Sequence, residues 1–301
     1  MMAVTTRAPF PPWLRVKPPS GENYVRLKNL MAEFNLNSVC EEARCPNVSE
    51  CWSGGTATFM VMGDACTRGC RFCSVESLAR PASLDPDEPS HLAQALGRMG
   101  LNYAVLTSVC RDDLPDQGAG HIARCIREVK ASAPAMLLEF LIPDFRGDRD
   151  CLKTVVEAGA DVLAHNLETV RRLTHPVRDR RAGYEQSLDV LKAIKSMDSA
   201  IVTKSSLMLG LGETEDELLE CFADLRATGV EILTLGQYLR PTGGGRHLPV
   251  LEYVPPERFD ELKKKAENMG FLYVASGPFV RSSYKAAEFF LEGYLKKNSA
   301  D

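Results

Sequence analysis

Between residues 56 and 278, short apolar runs alternate with amphipathic stretches, and this alternation constrains the fold more than any other feature of the chain. The runs are TATFMVMG (56–63), NYAVLTSV (102–109), AMLLEFLI (135–142), DVLAHNLE (161–168), IVTKSSLML (201–209) and EILTLGQY (231–238). Each has the length of a buried strand. The intervening stretches HIARCIREVKAS (121–132), CLKTVVEAGA (151–160), SLDVLKAIKSM (187–197) and EDELLECFADLRATG (215–229) place apolar residues at three- and four-residue steps, the period of a helix with one buried face. Strands separated by helices predict a parallel sheet with crossover connections. Periodicity alone leaves an open doubly wound sheet and a closed or partial barrel in competition. Polar segments directly after the runs (TSVCRDD, HNLET, GLGETED, QYLRPTGGG) suit the carboxyl end of a barrel, where functional loops collect. A shorter run, FLYVASGP (271–278), adds a candidate strand, and RSSYKAAEFFLEGYLKK predicts a terminal helix. Residues 1 to about 35, broken by Pro9, Pro11, Pro12, Pro18 and Pro19, read as an extended arm.

Composition narrows the function classes. Thirty-six basic against forty acidic residues give a formal charge of -4, which offers nucleic acid no general attraction. No stretch approaches the roughly 20 uninterrupted apolar residues of a membrane span, and the proline-rich start carries no apolar signal region, so a cytoplasmic protein with no membrane partner is expected. Six of the ten cysteines fall within 34 residues. A disulfide framework suits a small secreted domain without a core, whereas clustered thiols in a chain with ample core point to metal.

The cysteines form two triplets. CEEARCPNVSEC holds Cys40, Cys45 and Cys51; CTRGCRFC holds Cys66, Cys70 and Cys73. A structural zinc ion wants four ligands in paired knuckles, so three thiolates fit it poorly, although zinc or redox thiols stay open as alternatives for CTRGCRFC. A 4Fe-4S cube held by three thiolates keeps one iron free for a ligand that takes part in chemistry. CxxxCxxC with an aromatic, here Phe72, just before the last cysteine resembles the signature of the radical S-adenosylmethionine superfamily. Its position after the first apolar run agrees, and Ser206, Met208, Gly210 and Glu213 in SLMLGLGE loosely match a second superfamily segment. The upstream triplet together with RSSY near the other end resembles, more narrowly, the lipoyl synthase family. That resemblance runs from NSVCEEARCPN through TSVCRDDLPD, LIPDF, HNLETV and RPT to RSSYKA.

The resemblance implies a partial (βα)6 TIM-like barrel over residues 56–270, an N-terminal extension (1–55) with the auxiliary cluster motif, and a C-terminal helical segment (271–301) with RSSY. It implies two 4Fe-4S clusters: an auxiliary one on Cys40, Cys45, Cys51 and Ser283, and a radical one on Cys66, Cys70 and Cys73. Without it, Ser283 would read as a helix cap. An alkoxide is a harder and less matched ligand for iron than a thiolate, so its corner should be the easiest to open. The family inserts two sulfur atoms at C6 and C8 of an octanoyl chain amide-linked to a lysine of a carrier domain, with the auxiliary cluster as sulfur donor. Unactivated C-H bonds give acid-base catalysis nothing to act on, so a cofactor-derived radical is the reagent such a substrate requires. The implied S-adenosylmethionine contacts are Phe72, Thr107, Ser108, Asn166 and Glu168, although Asn166 and Glu168 also suit a helix cap and a first-turn acid. Implied partners are octanoylated lipoyl carrier domains of 2-oxoacid dehydrogenase acyltransferase subunits and glycine cleavage H protein, and an electron donor such as ferredoxin or flavodoxin.

Other features take simpler readings. Cys125, Cys151 and Cys221 fall in helical patterns and read as buried thiols. Cys110 and Gln117 depart from the family pattern, which carries aspartate and glycine there. The segment RRLTHPVRDRR (171–181), with five arginines, reads either as a solvated helix end or as a docking patch for an acidic carrier domain.

Overall fold

The apolar runs become strands because each supplies inward and outward side chains in strict alternation, and the computed structural model describes them within residues 10–15, 21–53, 57–241 and 245–283. The chain opens with α1 (Glu22–Glu33), β1 (Asn37–Ser38), α2 (Val39–Glu42), α3 (Val48–Ser53), β2 (Thr58–Val61), β3 (Ala65–Cys66) and β4 (Glu76–Ser77). Then come α4 (Glu88–Met99), β5 (Tyr103–Ser108), α5 (Ala119–Ser132), β6 (Leu137–Leu141), α6 (Arg149–Val156), β7 (Val162–Ala164), α7 (Thr174–Val177) and α8 (Tyr184–Met197). The last are β8 (Val202–Leu209), α9 (Glu215–Ala227), β9 (Ile232–Gln237), α10 (Pro256–Asn268) and β10 (Tyr273–Gly277).

The main sheet runs β1-β2-β5-β6-β7-β8-β9-β10. From β2 onward all neighbours are parallel and in chain order, and β1 pairs antiparallel with the outer edge of β2. A doubly wound sheet reverses its order at a switch point, and no reversal occurs among the described strands. The architecture is therefore the partial barrel of βα units, extended by β10, and its two edges, β1 and β10, are not paired with each other. The C-terminal helix expected beyond Tyr284 lies outside the described residues.

The expected extended arm needs correction, since Glu22–Glu33 is a helix. All five prolines precede Gly21, and past them Leu27 and Met31 fall one turn apart and are buried.

Outward residues of the strands (Leu106, Leu138, Phe140, Leu163, Leu207, Leu233) pack under the helices. Inward residues fill the barrel in layers. Tyr103, Val105, Val162, Val202 and Ile232 form an apolar plug at the amino ends. Above it Glu139 and Lys204, both 1% exposed or less, form an ion pair at 2.6 Å, and the Tyr103 hydroxyl donates to Glu139. Higher still, Thr107, Leu141, Ser206 and Gly236 face a cavity. The period of two along each strand carries one register from plug to cavity.

Candidate functional site

The cavity has a volume of about 490 Å3 and is lined by Cys40, Cys45, Cys66, Cys70, Cys73, Ser282 and Ser283 together with Phe72, Thr107, Ser108, Asn166 and Glu168. Residues from the two ends of the chain and from five barrel loops thus meet at one place. Cys51, on α3, is half-buried and packs against the core, and the structure does not bring it onto the cavity lining with Cys40 and Cys45.

Local structure presents the first triplet. The Ser38 hydroxyl caps α2 by accepting the Cys40 N–H at 3.1 Å and donates to the Thr58 carbonyl at 3.1 Å, which ties the helix start to β2. The Cys45 N–H returns to the Cys40 carbonyl at 3.0 Å. Asn47 donates to the Phe279 carbonyl at 2.6 Å, and so brings the segment carrying Ser283 beside Cys45. Arg281 is half-buried next to Cys45 and donates to the Val280 carbonyl at 2.7 Å. Burial pushes the Cys45 thiol up, and Arg281 partly opposes that.

This C-terminal segment crosses β9 at a position where no side chain fits. A Cβ at Gly236 would lie 2.1 Å from the Val280 carbonyl oxygen. Gly236→Ala is therefore expected to lift Val280 to Ser283 off the sheet and to lower iron retained by the first triplet, leaving that of Cys66, Cys70 and Cys73 intact. Iron assay and Mössbauer spectroscopy would check this; full retention of both sets would show that the crossing does not hold Ser283.

The second triplet rides on a loop pinned from several sides. The Glu88 carboxylate accepts the Met62 N–H at 2.9 Å, where φ is 71°, and sits 2.6 Å from His121 Nε2. Glu88, His121 and Cys125 form the one compact metal-like trio among the described residues. Two ligands of one tetrahedral ion stand about 3.3 Å apart, so the shorter contact is a hydrogen bond that fixes the turn leading into the loop. Within the loop, Arg68 is 5% exposed and pairs with Asp112 at 2.9 Å and Asp144 at 2.6 Å. Burial pushes Asp112 up, yet Arg68 and Thr67 hold it well below the usual carboxylate range. The Cys66 sulfur accepts the N–H groups of Arg68 and Cys110, each at 3.4 Å. The Cys70 sulfur accepts the Asp179 N–H at 3.3 Å, and the Cys73 carbonyl accepts from His247 at 2.9 Å. Burial raises Cys70 and pushes Cys73 up to about 12.

Thiol spacing bears on the metal. Among the described residues no three motif thiols lie within 4.8 Å of one another. Tetrahedral zinc needs sulfurs about 3.8 Å apart, so neither triplet is set for a single ion. A four-iron cube spreads its corner ligands more widely, which is compatible with this spacing.

Two side-chain oxygens on the cavity wall lack partners. Ser108 Oγ and Asn166 Oδ1 are buried and unbonded, a combination that calls for a ligand. Asn166 Nδ2 donates to Glu168 at 3.1 Å. Burial raises the Glu168 carboxyl, and Arg178 and Asn166 oppose the rise.

Sequence reasoning missed Phe10, Arg178, His165, Gln237 and Tyr238 on this wall. Arg178 belongs to the basic segment. Arg171, Arg172 and Arg180 of that segment are exposed, as a solvated stretch would have them, with Arg171 paired to Glu185, Glu220 and Asp224 and Arg172 to Glu217; Arg178 is buried and Arg181 pairs with Asp179. Asp179 in turn accepts the Gly69 N–H of the cluster loop at 2.9 Å. Arg178 donates to Ser187 Oγ at 2.8 Å, leaving the hydroxyl proton for His165 Nε2 at 3.0 Å, so His165 Nδ1–H donates to the Ile142 carbonyl at 3.0 Å. Burial pushes His165 down to about 4 from 6.5. The unfolded chain binds the extra proton between those values, so this stabilisation is complete above about pH 6.5 and is lost as pH falls towards 4. His165→Gln is expected to flatten the acid side of the stability profile in that window; denaturant titrations at stepped pH with unchanged slope would refute a neutral His165.

Residues 60–225 match the radical SAM superfamily, and residues 2–45 match the N-terminal domain of lipoyl synthase of the radical SAM family. A lipoyl synthase of Anaeromyxobacter sp. (strain Fw109-5) is 61% identical over 285 residues, covering 95% of this chain and 96% of that one. The chain belongs to the lipoyl synthase family. A mitochondrial lipoyl synthase of Aedes aegypti is 55% identical over 98% of this chain and 76% of its own length. The Streptococcus suis SuiB structure with its precursor peptide SuiA shares 9% identity at a TM-score of 0.57, over 84% of this chain and 52% of that one, which shows likeness of fold. Lipoyl synthases are sulfur-inserting radical S-adenosylmethionine enzymes that depend on 4Fe-4S clusters and act on lipoyl carrier proteins, and this chain is one of them. No described helix is long and apolar enough to cross a membrane.

Proposed function

We propose that Cys66, Cys70 and Cys73 hold the radical cluster, that Cys40, Cys45, Cys51 and Ser283 hold the auxiliary one, and that the substrate is an octanoyl-lysyl carrier domain thiolated at C6 and C8. The observation that carries this reading is the single cavity onto which Cys40, Cys45 and Ser283 open beside Cys66, Cys70 and Cys73. When bound, the groups supply a carbon radical able to take hydrogen from an unactivated C–H bond and sulfide for the new C–S bonds.

The chain's own residues bind, orient and exclude water. Ser108 Oγ offers a donor and Asn166 Oδ1 an acceptor for the polar groups of S-adenosylmethionine, in keeping with their unmet bonding. Glu168, held by Asn166, and Arg178 add one acid and one cation to the same wall, while Phe72 and Thr107 flank it. Val39, Met60, Val109, Leu141 and Ile142 give an apolar surface for a hydrocarbon chain. Such a wall keeps water away from a site where a reactive carbon would otherwise be quenched.

The finer partners in this proposal are carrier domains of 2-oxoacid dehydrogenase acyltransferase subunits and glycine cleavage H protein, with ferredoxin or flavodoxin as electron donor. The cytoplasm is the compartment we assign, in accord with six clustered thiols, which suit a reducing environment.

The test is mass spectrometry of an octanoyl-lysyl carrier peptide after anaerobic incubation with the reconstituted protein, S-adenosylmethionine and a strong reductant. Gain of two sulfurs through a singly thiolated species supports the assignment. Release of 5'-deoxyadenosine with an unchanged peptide would leave the Cys66 triplet as a radical site and remove the octanoyl substrate.

A further inference from the structure

The loop that carries Cys66, Cys70 and Cys73 has two faces. Cys70, Phe72 and Cys73 line the cavity, whereas Arg71 does not and is exposed. The Arg71 N–H donates to the Val177 carbonyl at 2.8 Å, and its guanidinium reaches the Arg246 carbonyl at 3.1 Å and the Pro176 carbonyl at 3.2 Å. Two more guanidinium groups flank the same loop outside the cavity. Arg246 is half-buried and donates to the carbonyls of Cys73 at 3.2 Å and Val75 at 2.8 Å. Arg180 is exposed and follows Asp179, whose N–H donates to the Cys70 sulfur at 3.3 Å. Arg171, Arg172 and Arg181 have carboxylate partners. Arg71, Arg180 and Arg246 have none among the described residues, and Glu76, the exposed acid after Val75, forms no ion pair with them. A chain of formal charge -4 thus carries three unneutralised cations, each one peptide or a hydrogen bond or two from a motif cysteine.

We propose that this outer face is the docking surface of the electron donor, a small acidic one-electron carrier protein whose carboxylates meet Arg71, Arg180 and Arg246. The proposal rests on the reading of Cys66, Cys70 and Cys73 as ligands of the radical cluster. The reduced donor gives up one electron and the cluster takes it up, with no proton or group transferred. Electron transfer weakens steeply with distance, so a donor is best seated where the wall is thin, and here one loop presents Arg71 outward and Cys70, Phe72 and Cys73 inward. The overall charge of -4 gives an acidic partner no general attraction, so a local cationic patch sets where it lands and how fast, more than how tightly. Electron-transfer partners make small, transient interfaces, and three cations around one loop suit that scale. A domain bearing the acyl chain has a different need: its arm must enter the cavity, which none of these three arginines lines.

The test follows, by stopped-flow absorbance, the oxidation of a reduced flavodoxin of net negative charge by the anaerobically reconstituted full-length chain at stepped ionic strength. Parent, Arg180→Lys, Arg180→Glu and Arg71→Gln are compared after an iron count. Arg71 also braces the loop, whereas the Arg180 side chain makes no bond among the described residues, so Arg180→Glu decides. Parent and Arg180→Lys are expected to react alike and to slow as salt rises. Arg180→Glu is expected to react about tenfold more slowly at low salt and to converge with the parent at high salt, where the charges are screened. Dithionite at high salt should release 5'-deoxyadenosine equally from both. Equal flavodoxin rates for Arg180→Glu and the parent at low salt, or a parent rate independent of salt, would overturn the proposal. A raised KM of Arg180→Glu for the octanoylated carrier domain, with flavodoxin oxidation unchanged, would give the patch to that domain and overturn it as well. A parent that holds iron yet releases no 5'-deoxyadenosine with dithionite would remove the radical reading of the triplet, a failure that the flavodoxin rates cannot imitate.

Discussion

Cys70→Ala is expected to hold about four irons per chain where the parent holds about eight, and to release no 5'-deoxyadenosine. Cys70 is the middle thiol of CTRGCRFC, its sulfur faces the cavity, and the Asp179 N–H at 3.3 Å fixes its direction. Its removal leaves two thiolates where a cube with one open iron needs three. Cys45→Ala gives the complementary result: it continues to release 5'-deoxyadenosine but transfers no sulfur to the octanoyl peptide. Iron assay with chromatography of the nucleoside separates the two losses. Parental release of 5'-deoxyadenosine by Cys70→Ala would place the radical chemistry elsewhere in the molecule.

Lys204→Met is expected to lower the unfolding free energy by about 3–5 kcal/mol, the usual cost of stranding one partner of a buried ion pair. Lys204 and Glu139 lie 2.6 Å apart in the middle layer of the barrel, both 1% exposed or less. Methionine fills much of the lysine volume, so the loss comes from the unmatched Glu139 carboxylate and little from a cavity. The double variant Lys204→Met with Glu139→Gln removes that charge while keeping an acceptor for the Tyr103 hydroxyl, and should recover most of the loss. Denaturant midpoints of the anaerobic loaded chains measure both. An unchanged midpoint in Lys204→Met would mean that water reaches this layer.

What could be read from the chain alone follows from how local the responsible physics is. Strands β2 and β5 to β10 were legible because an apolar run bounded by amphipathic stretches has few other places to go, whereas the two-residue strands β3 and β4 carry no such run. Barrel and open sheet stayed undivided because both bury the same runs, and only the uninterrupted order of strands, set by long-range pairing, separates them. The helix α1 was hidden by the prolines preceding it. Cys66, Cys70 and Cys73 were legible because their spacing is itself the cradle. Arg178, His165 and Ser187 were not, since their meaning lies in a chain of hydrogen bonds that exists only after folding. The burial of Arg178 within RRLTHPVRDRR was not legible for the same reason, and neither were the acidic partners of Arg171 and Arg172, Glu185, Glu217, Glu220 and Asp224, which lie on other elements. Gln117, which departs from the family glycine, adopts φ of 53°, the left-handed backbone that glycine takes without strain. Its side chain donates to the Phe145 carbonyl at 2.9 Å, anchoring a conformation that costs the backbone something.

The filled lower barrel makes the chamber a cul-de-sac. With Tyr103, Val105, Val162, Val202 and Ile232 packed beneath the Glu139–Lys204 pair, the amino ends of the strands are filled by the described side chains. A tethered acyl arm must therefore withdraw through the same doorway by which it arrived, now carrying a stiffer and bulkier end. Among the described residues, Phe10, whose ring lies 5.8 Å from that of Tyr253, and Val280 to Ser283, beside the Asn47 bond to the Phe279 carbonyl, line the chamber from segments far apart in sequence. The chamber wall is therefore complete only when both have docked on the barrel.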